Sequence, residues 1–124
     1  MKEGSKRDVT FFRWDDMPAE LLSETFSRKL IIGDRLMLVH VIMKKGCVVP
    51  AHNHHNEQIT HVLSGELKFH VDGREINVCA GEILLIPSNV VHAATALEDT
   101  VAIDTFSPPR QDFLDGTDGY LRGK

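Results

Sequence analysis

Cysteine is nearly absent from this chain. Cys47 and Cys79 are the only two, and they form neither a CxxC pair nor a metal-finger spacing. That argues against a disulfide framework or a cysteine-built zinc module. It leaves two reduced thiols in a cytoplasmic protein, with a single disulfide as the alternative. Long apolar runs are missing too. The longest, residues 36–43, is interrupted by His40 and is far too short to cross a bilayer as a helix. Residues 1–8 are charged and lead into no apolar stretch, so no secretory leader is expected and their polarity predicts a frayed end. Basic charge is not in excess: 14 Lys and Arg against 18 Asp and Glu leave a net charge of -4 at pH 7. No global field therefore favours nucleic acid or an anionic membrane, and neither is expected as a partner. No internal repeat, low-complexity segment, long helix or helix-turn-helix stands out. At 124 residues, 42% hydrophobic and 26% charged, the chain has the make-up of one soluble globular domain, residues 1–124.

What the sequence does have is histidine in a pattern. Four of its seven histidines fall in residues 46–65, GCVVPAHNHHNEQITHVLSG. His52 and His54 are two apart, so in an extended strand both rings leave the same face. That spacing suits two imidazoles closing on one metal ion, although a lone HxH also arises by chance. Gln58 has the same parity if the strand continues, whereas Glu57, His55 and His61 have the other. A second cluster, GEILLIPSNVVH at residues 81–92, ends in His92 after a proline turn.

The remaining pattern is one of short strands and turns. Residues 9–14 suggest a strand, 15–20 a turn with Pro18 placed as in a first helical turn, and 21–26 a helical turn or a loop. Residues 29–32 read as a strand, Gly33-Asp34 as a turn, and 36–43 as a strand buried on both faces. His40, in its middle, is either a hydrogen-bonded core histidine or a substrate contact. Residues 58–63 and 66–71 are expected to pair across a Ser64-Gly65 turn. Asp72-Gly73 is the strongest hairpin signal, leading into residues 75–78, and His70 should be solvated. Residues 82–86, 90–96 and 100–106 complete the set, and the pattern predicts an antiparallel sandwich or barrel. Ile59 and Leu63 share the outward parity of His61, an apolar strip suited to an oligomer interface. In residues 107–124, Phe113, Leu114, Tyr120 and Leu121 are candidate docking points for an irregular tail. Asp104 stands in an otherwise apolar strand, a costly position unless it is paired or functional. A buried ion pair with Arg110 and a catalytic carboxylate are equally open.

Taken together, Gly46, His52, His54, Gln58 and Gly65, followed by Gly81, Pro87 and His92, resemble the two signatures of the cupin superfamily. The resemblance implies an all-β double-stranded jelly-roll barrel, spanning about residues 28–106 ahead of the tail. It also implies one divalent metal ion (Ni, Fe, Mn, Co or Zn) held by His52, His54, Gln58 and His92. Many cupins have a glutamate where Gln58 stands, a glycine at Asn89 and an asparagine at Ala96. With Gln58, no ligand carboxylate offsets the metal's charge. The further match of HNHHNEQ, IPSNVVH and DTFSPPR, within a similarity running from about Phe12 to Arg122, resembles the small cupins of pectin degradation, which open 4,5-unsaturated uronates to linear keto-uronates. It implies Asp104 as general acid/base, Arg110 as a bidentate clamp on the substrate carboxylate, Phe106 as an apolar wall, a small anionic sugar-derived substrate and a homodimer. An Fe-dependent cupin dioxygenase and a non-catalytic sugar-acid binding module are the rival readings.

Overall fold

The computed structural model describes residues 8–122 and is built from strands that alternate inward apolar and outward polar positions. Ten strands follow in order: β1 (Glu20–Ser23), β2 (Phe26–Ile32), β3 (Met37–Met43), β4 (Val48–His52), β5 (Glu57–Ser64), β6 (Glu66–Val71), β7 (Arg74–Cys79), β8 (Ile83–Ile86), β9 (His92–Ala96) and β10 (Thr100–Ser107). They form two antiparallel sheets, ordered β1-β2-β3-β10-β5-β8 and β4-β9-β6-β7, the jelly-roll barrel that the sequence predicts. The core lies between them. Met37, Val39, Val41, Val62, Ala102 and Phe106 from the first sheet meet Leu67, Phe69, Val71, Val78 and Ala94 from the second.

Several local expectations need correction. Residues 9–13 form no strand, and Trp14–Asp16 is a single 3-10 turn. Residues 21–26 are not helical, because they make up most of the tight β1–β2 hairpin. Strand β3 is not buried on both faces: Met37, Val39, Val41 and Met43 point inward, and Ile42 is exposed. His40 takes the outer parity, where its ring lies 5.0 Å from that of Trp14 and its buried Nδ1 has no hydrogen-bond partner among the described residues. It is neither a bonded core histidine nor a contact to the cavity. Frayed residues were expected at the start of the chain, but residues 1–7 lie outside the described residues.

The most instructive correction is at Ser64-Gly65. It is a corner rather than a hairpin turn, since β5 pairs with β10 and β8 while β6 pairs with β7 and β9. Gly65 has φ +90°, and a Cβ there would come within 2.4 Å of the Asp99 carbonyl oxygen. Only glycine lets the chain pass that close while changing sheets. Asp72-Gly73 does close the β6–β7 hairpin, with both residues at positive φ as its turn type requires.

Beyond β10 the tail crosses the barrel mouth. It contains the short helix α1 (Gln111–Asp115) and a 3-10 turn at Gly119–Leu121. Phe113 and Leu121 dock as expected, whereas Leu114 remains exposed. Two arginines and two acids complete the docking. The Arg28 Nη2 lies 2.7 Å from Asp118, its Nε donates to Glu20 at 3.0 Å, and Arg122 bonds both acids, at 2.8 and 2.9 Å. Arg28 and Asp118 are almost wholly buried, so their opposite charges are compensated within this ring rather than by solvent.

Candidate metal centre and active site

Three histidines converge where β4 and β9 run side by side. His52, the last residue of β4, is the register partner of His92, the first of β9, and their ring centroids are 4.3 Å apart. His54 lies just beyond β4, its ring 5.0 Å from that of His92. Potential ligand atoms of all three fall within 4.8 Å of one another, so the cluster could hold a metal ion. A shared detail supports this. Nδ1 lies 2.8 Å from the Pro50 carbonyl in His52, 3.0 Å from that of Asn56 in His54, and 2.9 Å from that of Val90 in His92. A carbonyl oxygen can only accept, so each Nδ1 carries the proton and each Nε2 presents a lone pair. The Nε2 of His92 is buried and has no hydrogen-bond partner among the described residues. Burial, joined by the nearby Arg110 charge, holds His52 and His54 down to about 4 and lowers His92, keeping the rings in their neutral, ligating form at pH 7.

Gln58 reaches this cluster from the other sheet. The strand expected to carry it together with His52 and His54 is broken: β4 ends at His52, residues 53–56 cross between sheets, and Gln58 arrives on β5. The crossing is pinned by the buried amide of Asn56, which donates to the Pro108 carbonyl at 2.6 Å. It is held also by the Asn89 N–H, which donates to the His54 carbonyl at 2.8 Å. Asn89 has φ 67°, a left-handed conformation that glycine adopts freely and that asparagine tolerates. Gln58 is buried with its Oε1 3.2 Å from His54 Nε2, whereas Glu57, His55 and Ile59 are exposed and His61 shares their outward parity. Two acceptor atoms thus face each other, an arrangement that a cation between them would relieve. Three imidazole nitrogens and an amide oxygen fit a divalent ion.

Asp104 lies across the β5–β10 ladder from Thr60, whose hydroxyl donates to its Oδ1 at 2.6 Å. Burial pushes the Asp104 carboxyl up to about 6, against the opposing pull of the Thr60 bond and the Arg110 charge. The side chain is hemmed in by the barrel but keeps some accessible surface toward the cavity. The Asp104–Arg110 ion pair that the sequence left open is absent among the described residues. Arg110 instead bonds Asp112 in bidentate fashion, at 2.9 and 2.8 Å, and donates to the Tyr120 hydroxyl. The forked edge expected to grip a substrate carboxylate is therefore held by Asp112, which leaves Nη1 as the remaining donor. The Arg110 guanidinium lies over Phe106 at 5.0 Å and over Phe113 at 4.3 Å. Phe106 in turn meets the His54 ring edge-on, at 5.6 Å.

One cavity is lined by His52, Gln58, His92, Asp104, Phe106 and Arg110. Thr60, Asp112 and Tyr120 belong to this constellation but were not apparent in the sequence. The one available signal is that Thr60 shares the inward parity of Gln58. Tyr120, whose ring lies 4.7 Å from that of His52, is brought there by the fold of the tail, which has no periodicity to read.

A two-sheet barrel with histidines from β4 and β9 at its mouth defines a class, and the cupin domain family matches residues 39–105. The chain belongs to the cupins. It is similar to the pectin degradation protein KdgF of Dickeya dadantii (strain 3937), at 36% identity over 107 residues, covering 84% of this chain and 97% of that protein. Among solved structures, KdgF from Halomonas sp. superposes with a TM-score of 0.79 at 31% identity, over 84% of this chain and 99% of that one. An RmlC-like cupin from Shewanella frigidimarina gives a TM-score of 0.80 at 29% identity, over 88% and 99% of the two chains.

Proposed function

We propose that this protein is a metal-dependent enzyme that opens 4,5-unsaturated uronates, the products of pectin or alginate breakdown, to linear keto-uronates. The observation that carries the reading is the placement of Asp104. A carboxyl with a raised pKa shares one cavity with His52 and His92 of the histidine cluster, with Gln58, Arg110 and Phe106, in a chain similar to a pectin degradation protein.

The reaction is an isomerisation, with no net gain or loss of atoms or electrons. The hydroxyl proton on the anomeric carbon is removed as the bond from that carbon to the ring oxygen breaks. An aldehyde and an enolate result, the ring oxygen keeping the bonding pair, and the enolate becomes a ketone when a proton is added at the neighbouring carbon. With its pKa near neutrality, Asp104 can accept the first proton and deliver the second. Arg110 offers its free Nη1 and its charge to the substrate carboxylate, and Phe106 supplies an apolar wall for the sugar ring. His52, His54, Gln58 and His92 would hold the divalent ion, whose role when bound is to polarise and anchor substrate oxygens.

Two free thiols, Cys47 and Cys79, accord with a cytoplasmic location. Ile59, Leu63, Ile83 and Leu85, exposed on the outer side of β5 and β8, form an apolar strip that a second copy would cover in a homodimer.

The test is turnover of 4,5-unsaturated galacturonate by metal-loaded protein, followed as loss of the enol-ether absorbance against the spontaneous rate. Acceleration that disappears in His92→Ala is expected. Binding of the uronate without acceleration, whichever divalent metal is supplied, would refute the enzymatic reading in favour of a binding module.

A further inference from the structure

Thr60 faces the barrel interior on β5, where Val62 and neighbouring strands contribute apolar side chains. Valine would fill the same volume without placing a hydroxyl in the interior, and a buried hydroxyl is costly unless it is bonded on both its donor and acceptor sides. Here both sides are used. The proton goes to Asp104 Oδ1, and the oxygen accepts from Gln58 Nε2 at 2.9 Å. The order of these bonds matters. Because Asp104 takes the hydroxyl proton, Thr60 can only accept from Gln58, so the Gln58 nitrogen is committed to Thr60 and its oxygen is turned toward His54. The opposite amide rotamer would direct an NH₂ group, which cannot ligate a cation, at the histidines.

We propose that Thr60 is a positioning residue that selects the metal-ligating orientation of the Gln58 amide. The inference rests on the metal centre proposed above and adds a requirement specific to this chain. A carboxylate at position 58 would present two equivalent oxygens and need no such orientation, whereas an amide has one ligating face and must be held. The polar chain Asp104–Thr60–Gln58–His54 thus joins the proton-transfer group to the metal cluster through neighbouring strands of one sheet.

The test uses cobalt(II) titrated into the metal-free protein, with affinity read from its visible absorption, so that it needs no turnover. Thr60→Val is expected to weaken cobalt binding about 10- to 100-fold, the usual cost of losing a group that orients a ligand. Thr60→Ser, which keeps the hydroxyl, should stay within about threefold of the unaltered protein, a shift too small to mark a lost orienting group. The same Thr60→Val change made in a Gln58→Glu background should cost much less, because the carboxylate has no orientation to lose; this non-additivity identifies the coupling. Far-UV circular dichroism and melting of the metal-free variants establish that each is folded. Equal losses in both backgrounds would show that Thr60 acts on the fold in general, and unchanged affinity in Thr60→Val would show no role at all. Either result overturns the inference while leaving the uronate reading intact. Failure of the unaltered protein to bind cobalt would instead overturn the metal centre itself, and the inference with it.

Discussion

Replacing Asp104 with asparagine should make the protein more stable at neutral pH while removing its activity. The carboxyl is pushed from its ordinary 3.8 to about 6, so the ionised form is less favourable inside the barrel than in the unfolded chain. At about 1.36 kcal/mol per pH unit, the full difference is ~3 kcal/mol. Residual accessible surface toward the cavity screens part of that, and about 1–2 kcal/mol is the working figure. The sign follows from proton binding. At pH 3 and below both states are mostly protonated and the penalty is small. As pH rises toward 6 the unfolded chain ionises first, so stability falls through this window, and above it the penalty is constant. The amide introduced by Asp104→Asn would still accept the Thr60 hydroxyl bond through its oxygen but would not ionise. Urea unfolding of the metal-free proteins should therefore find the variant more stable at pH 7.5 and the two nearly equal at pH 3. Turnover should fall by about 10²- to 10⁴-fold, the range for loss of a general acid/base. A variant that is no more stable at pH 7.5 would refute the argument from burial, and one with full turnover would remove Asp104 from the chemistry.

Other consequences can be tested independently. Gly65→Ala forces a side chain into a left-handed corner and against the Asp99 carbonyl, and should cost at least about 2 kcal/mol in a urea unfolding series. Asp118→Ala leaves Arg28 buried without its main partner, and a loss of about 3 kcal/mol is expected by thermal melting. The same change should speed proteolytic cleavage within residues 110–122, whereas unchanged cleavage would mean that the ionic ring does not hold the tail. Leu85→Asp, on the outer strip, should shift the protein from dimer to monomer in light scattering without altering metal binding, and a monomeric unaltered protein would dismiss the homodimer.

Strand periodicity and the two glycine-proline-histidine patterns made the barrel legible, because both record local constraints. Asp72-Gly73 is an example: two left-handed residues close a hairpin whose strands are neighbours in sequence and in space. Ser64-Gly65 looks much the same in sequence, yet its strands belong to different sheets. Their true partners, β10 and β9, lie more than twenty residues downstream, and no local rule specifies them. The same limit applies at the site. His52, His54 and His92 could be singled out from spacing, although Gln58 meets them through a crossing between sheets rather than along one strand. Thr60 gains its role from register with Asp104, and Asp112 gains its own from the fold of the tail. For Arg110, the sequence left a pairing with Asp104 open, but the geometric match is Asp112, two residues on.

The charge distribution ties these observations together. Over the whole chain the net charge is -4, which would repel an anionic uronate at long range. Near the cavity the balance differs. The three imidazoles are neutral, Gln58 contributes no charge, and the Arg110 charge is offset by Asp112. Asp104 is the one cavity-lining carboxylate among the described residues, and burial shifts it toward its protonated form. A divalent ion bound here would keep its full charge, where a glutamate at position 58 would halve it. The site would then be most cationic where the substrate carboxylate must enter, in an enclosure whose low dielectric strengthens that attraction. Gln58 thus carries a cost and an advantage together: weaker intrinsic affinity for the metal than a carboxylate would give, and stronger affinity of the loaded site for an anion. The buried hydroxyl of Thr60 reduces the first by fixing the amide in its ligating orientation.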